Sequence, residues 1–240
     1  YGVVANLYAY TALILVFLTF GMETTLFRYA NKQEENPMHV YSTALITVGS
    51  LSAAFLALVL IFLQPLSSML GYADHPEYLV FVALIVAIDS FACIPFVYLR
   101  YQQKAKKFAC LKMLNIFVTI ALNLFVFTVC PKINESHPEW ISWFYDSEYL
   151  AGYVFAVNLI ASLVTLLLLF KEWMPGGQFK ASDGQCYIFK YVWDAPLFHR
   201  MFKYSYPILI LGIAGILNQT LDKILYPYLV PGKAGVQQLG

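Results

Sequence analysis

Charged side chains are scarce in this chain: Asp, Glu, Lys and Arg make up 12% of its 240 residues, against 60% hydrophobic. An ordinary soluble domain carries about 25% charged residues, so a soluble fold of this composition would lack a surface. The formal net charge is +1, which argues against the strongly basic face of a nucleic-acid binder, and no nucleic-acid partner is expected. Cysteine is sparse too. Cys93, Cys110, Cys130 and Cys186 show no CxxC spacing and read as small apolar side chains, not as a disulfide or metal set. No GxxxxGK[ST], HExxH or GxSxG motif occurs, and no His has the downstream Asp of a membrane acyltransferase. These absences remove a Walker-type ATPase and the commonest hydrolase signatures. No cofactor and no metal is expected, and the chain does not read as an enzyme.

What the chain has in quantity is long apolar runs. Six of them span roughly Val4–Met22, Val40–Leu63, Tyr78–Leu99, Phe108–Cys130, Leu150–Phe170 and Tyr204–Leu229. Each has the roughly 20 residues that cross a hydrocarbon core of about 30 Å at about 1.5 Å per residue. The predicted fold is therefore an all-α, polytopic transmembrane helix bundle of six spans.

Lys and Arg crowd into alternate gaps. Arg28 and Lys32 follow the first run, Arg100, Lys104, Lys106, Lys107 and Lys112 the third, and Lys171, Lys180, Lys190, Arg200 and Lys203 the fifth. Only Lys132, Lys223 and Lys233 fall elsewhere. Basic loops stay cytoplasmic, so segments 28–39, 100–107 and 171–203 are expected inside and Pro131–Tyr149 outside. Trp140-Ile141-Ser142-Trp143-Phe144-Tyr145 reads as an interfacial segment.

Residues 172–203 form the longest gap. Ser182-Asp183-Gly184 predicts a hairpin turn between Gln178–Ala181 and Gln185–Val192. Asp194 is an expected N-cap, with Pro196 in the first turn of a short amphipathic helix on the inner surface. This linker divides the chain into 1–171, 172–203 and 204–240. The opening Tyr1-Gly2 and the end in a loop are expected of an internal piece of a longer protein.

Inside the spans, polar residues recur at helical spacing: Thr43, Thr47 and Ser50; Asn115, Thr119 and Asn123; Asn158, Ser162 and Thr165; Gly215, Asn218 and Asp222. Steps of three and four place each set on one face. Such residues serve as packing contacts between membrane helices, but four stripes together predict a shared polar cavity. Asp89 sits mid-span, where an acid costs roughly 2.5–3.5 kcal/mol on insertion scales. It must be neutral, paired or facing a wet cavity, and Pro95 is expected to kink its helix. Asp222 stands beside Lys223, a local partner. Glu23 and Arg28 bracket the inner end of the first span, where Arg28 suits either an orientation anchor or a bidentate phosphate ligand. No Lys or Arg lies mid-span, so a cavity between these helices is expected to be poor in cations.

The run Gly21-Met22-Glu23-Thr24-Thr25-Leu26-Phe27-Arg28-Tyr29 resembles the end of the second helix in polysaccharide-biosynthesis flippases, the Wzx-type members of the multidrug/oligosaccharidyl-lipid/polysaccharide exporter superfamily. Met201-Phe202-Lys203-Tyr204-Ser205-Tyr206-Pro207 and Asn218-Gln219-Thr220-Leu221-Asp222-Lys223-Ile224-Leu225 are similar to the entry and outer half of the seventh. The resemblance implies a MATE-like two-lobed transporter fold, of which this chain would hold helices two to seven. It implies flipping of a polyprenyl-diphosphate-linked oligosaccharide across the bacterial cytoplasmic membrane by alternating access, with membrane lipids as further partners. It nominates Arg28 as a diphosphate contact, and Glu23, Asn115 and Asn123 complete the candidate substrate set. Asp89, Asp222 and Asn218 are the candidates for coupling to Na+ or H+, on position alone. Rival readings are an ion-coupled drug or cation antiporter of the same fold, a membrane-embedded glycan polymerase or ligase, and a scaffold.

Overall fold

The computed structural model describes residues 2–32, 35–136, 139, 149–176, 178–180 and 186–229, with only the backbone of the last helix described beyond 221. Trp140–Tyr145 and the turn Ser182–Gly184 lie outside the described residues. The elements in chain order are α1 (Gly2–Thr19), α2 (Met22–Ala30), α3 (Pro37–Ile61), α4 (Leu63–Met69), α5 (Glu77–Tyr101) and α6 (Ala105–Leu124). A π-helical segment, Phe125–Val129, leads into α7 (Cys130–Ser136); α8 (Leu150–Leu168), α9 (Phe170–Trp173), β1 (Gln178–Lys180), β2 (Cys186–Ile188) and α10 (Ala195–Leu229) follow. Six helical segments are long and apolar enough to cross a membrane: Val4–Ala30, Pro37–Ile61, Glu77–Tyr101, Ala105–Asn134, Leu150–Leu168 and Ala195–Leu221. The chain is a multi-pass, all-α bundle carrying one small β-hairpin.

Two expectations about helix ends change. The first span does not stop near Met22 but bends and continues to Ala30. The bend is built by Phe20 and Gly21, both left-handed at φ 50° and 65°. A Cβ on Gly21 would lie 2.9 Å from Ile208 Cγ2, so this position needs glycine for both its backbone and its neighbour. The expected surface helix before the last span is instead the first part of the continuous α10. Its N-cap is as expected: Leu197 N–H donates to Asp194 Oδ1 at 2.9 Å. Likewise α5 runs unbroken through Pro95, and the hairpin pairs antiparallel with Phe179 opposite Tyr187.

The most buried helix, α5, packs against α1, α2, α3, α6 and α8. In lipid there is no hydrophobic drive between helices, so close packing and small polar bridges hold them. Ser90 donates to the Ala87 carbonyl and meets Ser52 at 2.6 Å, fastening α5 to α3. Thr25 and Ser205, also 2.6 Å apart, join α2 to α10. Farther along, a Cβ on Gly212 would lie 3.0 Å from Val16 Cγ1, so α10 and α1 come very close.

The bundle has a different polar trim at each end. At the end that carries the basic loops, Tyr41 O–H donates to the Glu172 carbonyl at 2.7 Å and Val192 N–H donates to Ser42 Oγ at 2.6 Å. Lys107 pairs with Glu172, and Arg200 with Glu35 at 2.8 Å. Two of the basic residues thus tie the linker to the helix ends. At the opposite end Tyr78, Tyr149 and Phe155 cluster, with His75 over Tyr78. Burial and nearby Glu77 push the Tyr149 phenol up to about 12, so it stays a neutral donor.

Candidate functional site

A cavity of about 560 Å³ opens among α1, α2, α5, α6 and α8. Helical spacing explains why these side chains meet. On α5, Ile85, Asp89, Cys93, Phe96 and Arg100 recur at steps of three and four and share one face. From α6 come Phe108, Lys112 and Asn115, from α8 Asn158, Ser162 and Thr165, and from α1 Tyr8, Thr11 and Thr19. Glu23 enters from the first turn of α2, aimed there by the bend at Gly21.

Amide and hydroxyl groups knit the walls. Asn115 Nδ2 donates to Thr165 Oγ1 at 2.7 Å and reaches the Ala161 carbonyl at 3.3 Å, clipping α6 to α8. Asn158 Nδ2 bonds the Tyr8 hydroxyl and the Val154 carbonyl, tying α8 to α1. Asp89 faces Ser162, and Glu23 faces Cys93.

The expectation of a cation-poor cavity is corrected here. Arg100 and Lys112 both line it. Lys112 lies inside α6 rather than in the basic loop, its Nζ 4.2 Å from the centroid of the Phe96 ring. The signal was legible in spacing: Arg100 is eleven residues, three full turns, past Asp89, and Lys112 is one turn before Asn115. Arg100 stands at the basic end, with Asp89 about 16 Å deeper along α5 at about 1.5 Å per residue. Two acids and two bases therefore share the cavity, but no ion pair joins them. The Lys and Arg ion pairs among the described residues are Lys107–Glu172 and Arg200–Glu35, and His39 and His75 stand beside Asp194 and Glu77.

The remaining candidates stand apart from this lining. Arg28, exposed, lays its guanidinium over the Tyr204 ring at 4.3 Å. It is five residues past Glu23, about 140° around the helix, so a helix that points Glu23 into the cavity turns Arg28 away. Asn123 donates back to the Thr119 carbonyl of its own helix at 2.8 Å. Thr47 and Ser50 do the same within α3, at Thr43 and Thr47. Asn218 is exposed on α10, and the side chain of Asp222 lies outside the described residues. Of the four polar stripes, that of α8 lines the cavity in full and that of α6 reaches it through Asn115 alone. Among the described residues no three His, Cys, Asp or Glu side chains gather as a metal site.

The family model for polysaccharide biosynthesis protein matches residues 1–239. No curated protein and no solved structure matches the chain. A match over nearly the whole chain, on a bundle of membrane-crossing helices around a charged polar cavity, settles its kinship: the chain belongs to the polysaccharide biosynthesis protein family.

Proposed function

We propose that the protein flips a polyprenyl-diphosphate-linked oligosaccharide across the cytoplasmic membrane by alternating access, within a MATE-like two-lobed fold and without covalent chemistry. One observation carries this reading: Arg100 and Lys112 stand in a polar cavity between membrane helices, in a member of this family. Arg offers a planar fork to phosphate oxygens and Lys a point charge on a flexible stem. Asn158, Asn115 and the deeper carboxylates provide acceptors and donors for sugar hydroxyls. The lipid tail stays in the bilayer, beside exposed apolar side chains such as Met113, Ile116, Phe117 and Ile120 of α6. The basic ends of the helices face the cytoplasm, where such a substrate is assembled.

The test is complementation of glycan export in cells. The double variant Arg100→Ala, Lys112→Ala is expected to lower export at least tenfold at unchanged membrane abundance. Arg28→Ala lowers it less, and the reverse ranking would move the phosphate contact to Arg28. Orientation is checked by labelling Ser136→Cys, which is expected to react from outside intact cells; reaction only after lysis would invert the topology. Asp89 and Glu23 in the same cavity favour one second reading, an ion-coupled cation antiporter. That reading predicts cation-dependent transport that survives loss of Arg100 and Lys112.

A further inference from the structure

Across α1 from the charged cavity lies a second space, a groove of about 610 Å³ between α1, α3 and α10. Leu15 and Thr19 of α1 face the cavity, whereas Phe17, Leu18 and Phe20 face the groove. The two spaces differ in kind. No charged side chain lines the groove. Its Thr47 and Ser50 donate to carbonyls of their own helix at 2.7 and 3.0 Å, so their donors are already used. An apolar space stays dry and takes apolar guests, and this one lies between helices long enough to cross a membrane.

The rim and one end of the groove select the guest. Phe17, Leu51 and Phe202 form the rim, all exposed. Helices in lipid pack through small residues, so these large side chains hold a neighbouring helix off but admit a single flexible chain. Toward the basic end an aromatic row leads out: Phe20 stacks on Phe202 at 4.8 Å, Phe202 meets Phe198 at 5.7 Å, and Phe198 meets Trp193 at 5.0 Å. Trp193 is exposed just before α10 begins, where an indole suits the headgroup level. Lys203, also exposed, follows Phe202 by about 100° around the helix, and its stem can carry the ammonium to the same level.

We propose that the groove holds one acyl chain of an anionic phospholipid, with its headgroup beside Trp193 and Lys203. The guest is a resident membrane lipid and not the tail of the transported molecule, because α1 stands between this groove and the cavity that would hold that molecule's diphosphate. The site therefore does not rest on the flippase reading. The chain packs against Phe20, whose left-handed φ of 50° opens the bend into α2, and fills the wedge between α3 and α10.

The experiment uses the full chain in nanodiscs of phosphatidylcholine doped with phosphatidylglycerol that carries a diazirine on one acyl chain. After irradiation, labelled peptides are mapped by mass spectrometry. Labelling is expected to concentrate on residues 17–20 and 198–202, above that on the exposed α6 face of Met113, Ile116 and Phe117. Ala54→Phe fills the groove from α3 and is expected to remove the groove label while leaving the α6 label, which also reports intact folding. The phosphatidylglycerol probe is expected to label the groove about fivefold more than its phosphatidylcholine counterpart, the gain from one basic side chain at the headgroups. Lys203→Ala is expected to bring the two lipids level. Equal labelling of groove and α6, or groove labelling untouched by Ala54→Phe, overturns the proposal. So does equal groove labelling of the wild-type chain by the two headgroups, since the anionic lipid is then lost. A disulfide-linked dimer of Ser50→Cys but not of the wild type, in place of groove labelling, would give the space to a second copy and overturn it too.

Discussion

Two neighbouring residues of α5, Asp89 and Ser90, look into different worlds. Ser90 is fully buried on the face toward α3, hydrogen-bonded to Ser52, and close by Gly49 lies against Phe91. Asp89, one residue and about 100° away, faces the cavity shared with α1, α6 and α8. One face fastens, with small groups that satisfy each other. The other face keeps its charged groups apart, with no ion pair among them. The contrast teaches how to sort polar residues in a membrane helix: those with a close reciprocal partner hold the fold, and those left facing open space are available to a ligand.

The largest effect comes from moving the charge to the wrong face. Ser90→Asp, paired with Asp89→Ser, keeps the composition but puts a carboxylate in the dry seam against Ser52. An unpaired acid there costs roughly 2.5–3.5 kcal/mol even on insertion scales. Folded protein recovered by size exclusion is expected to fall severalfold, while Asp89→Ser alone folds normally. A well-folded swapped variant would mean that the seam admits water. An intermediate effect is expected of Gly21→Val, which places a branched side chain at φ +65° and against Ile208. Strain of about 1–3 kcal/mol should lower the melting temperature and swing Glu23 out of the cavity, read as altered labelling of Cys93. Ser90→Ala is the mildest: it removes one interhelical bond worth about 0.6 kcal/mol. A melting temperature unchanged within error or slightly lowered is expected, with transport unaffected. A large transport defect would show that the seam also moves in the cycle.

Much of this fold is legible along the chain because the bilayer imposes a coarse rule. Run length located all six spans, and Asp194 announced its helix. What failed was local. Phe20-Gly21 bends a helix without ending it, because a left-handed pair can redirect a chain whose next turn is still helical. Pro207 lies inside α10, although the segment before it carries the amphipathic pattern of a surface helix. At the site, Glu23, Asp89 and Asn115 were found by their chemistry and meet in one cavity. Arg100 and Lys112 were missed because orientation alone explained their charge. A basic residue near a helix end serves the positive-inside rule wherever its side chain points, so composition cannot separate an anchor from a ligand.

Membrane class, span number and the short list of polar residues followed from composition and period, since those depend only on length and on the helical repeat. Which of those residues share a space depended on how five helices are rotated about their axes, and rotation is set by packing between residues far apart in the chain. That is why α3 spends Thr47 and Ser50 on its own backbone while α8 turns Ser162 and Thr165 into the cavity that holds Asp89. It is also why the cations lining this cavity are Arg100 and Lys112 and not Arg28.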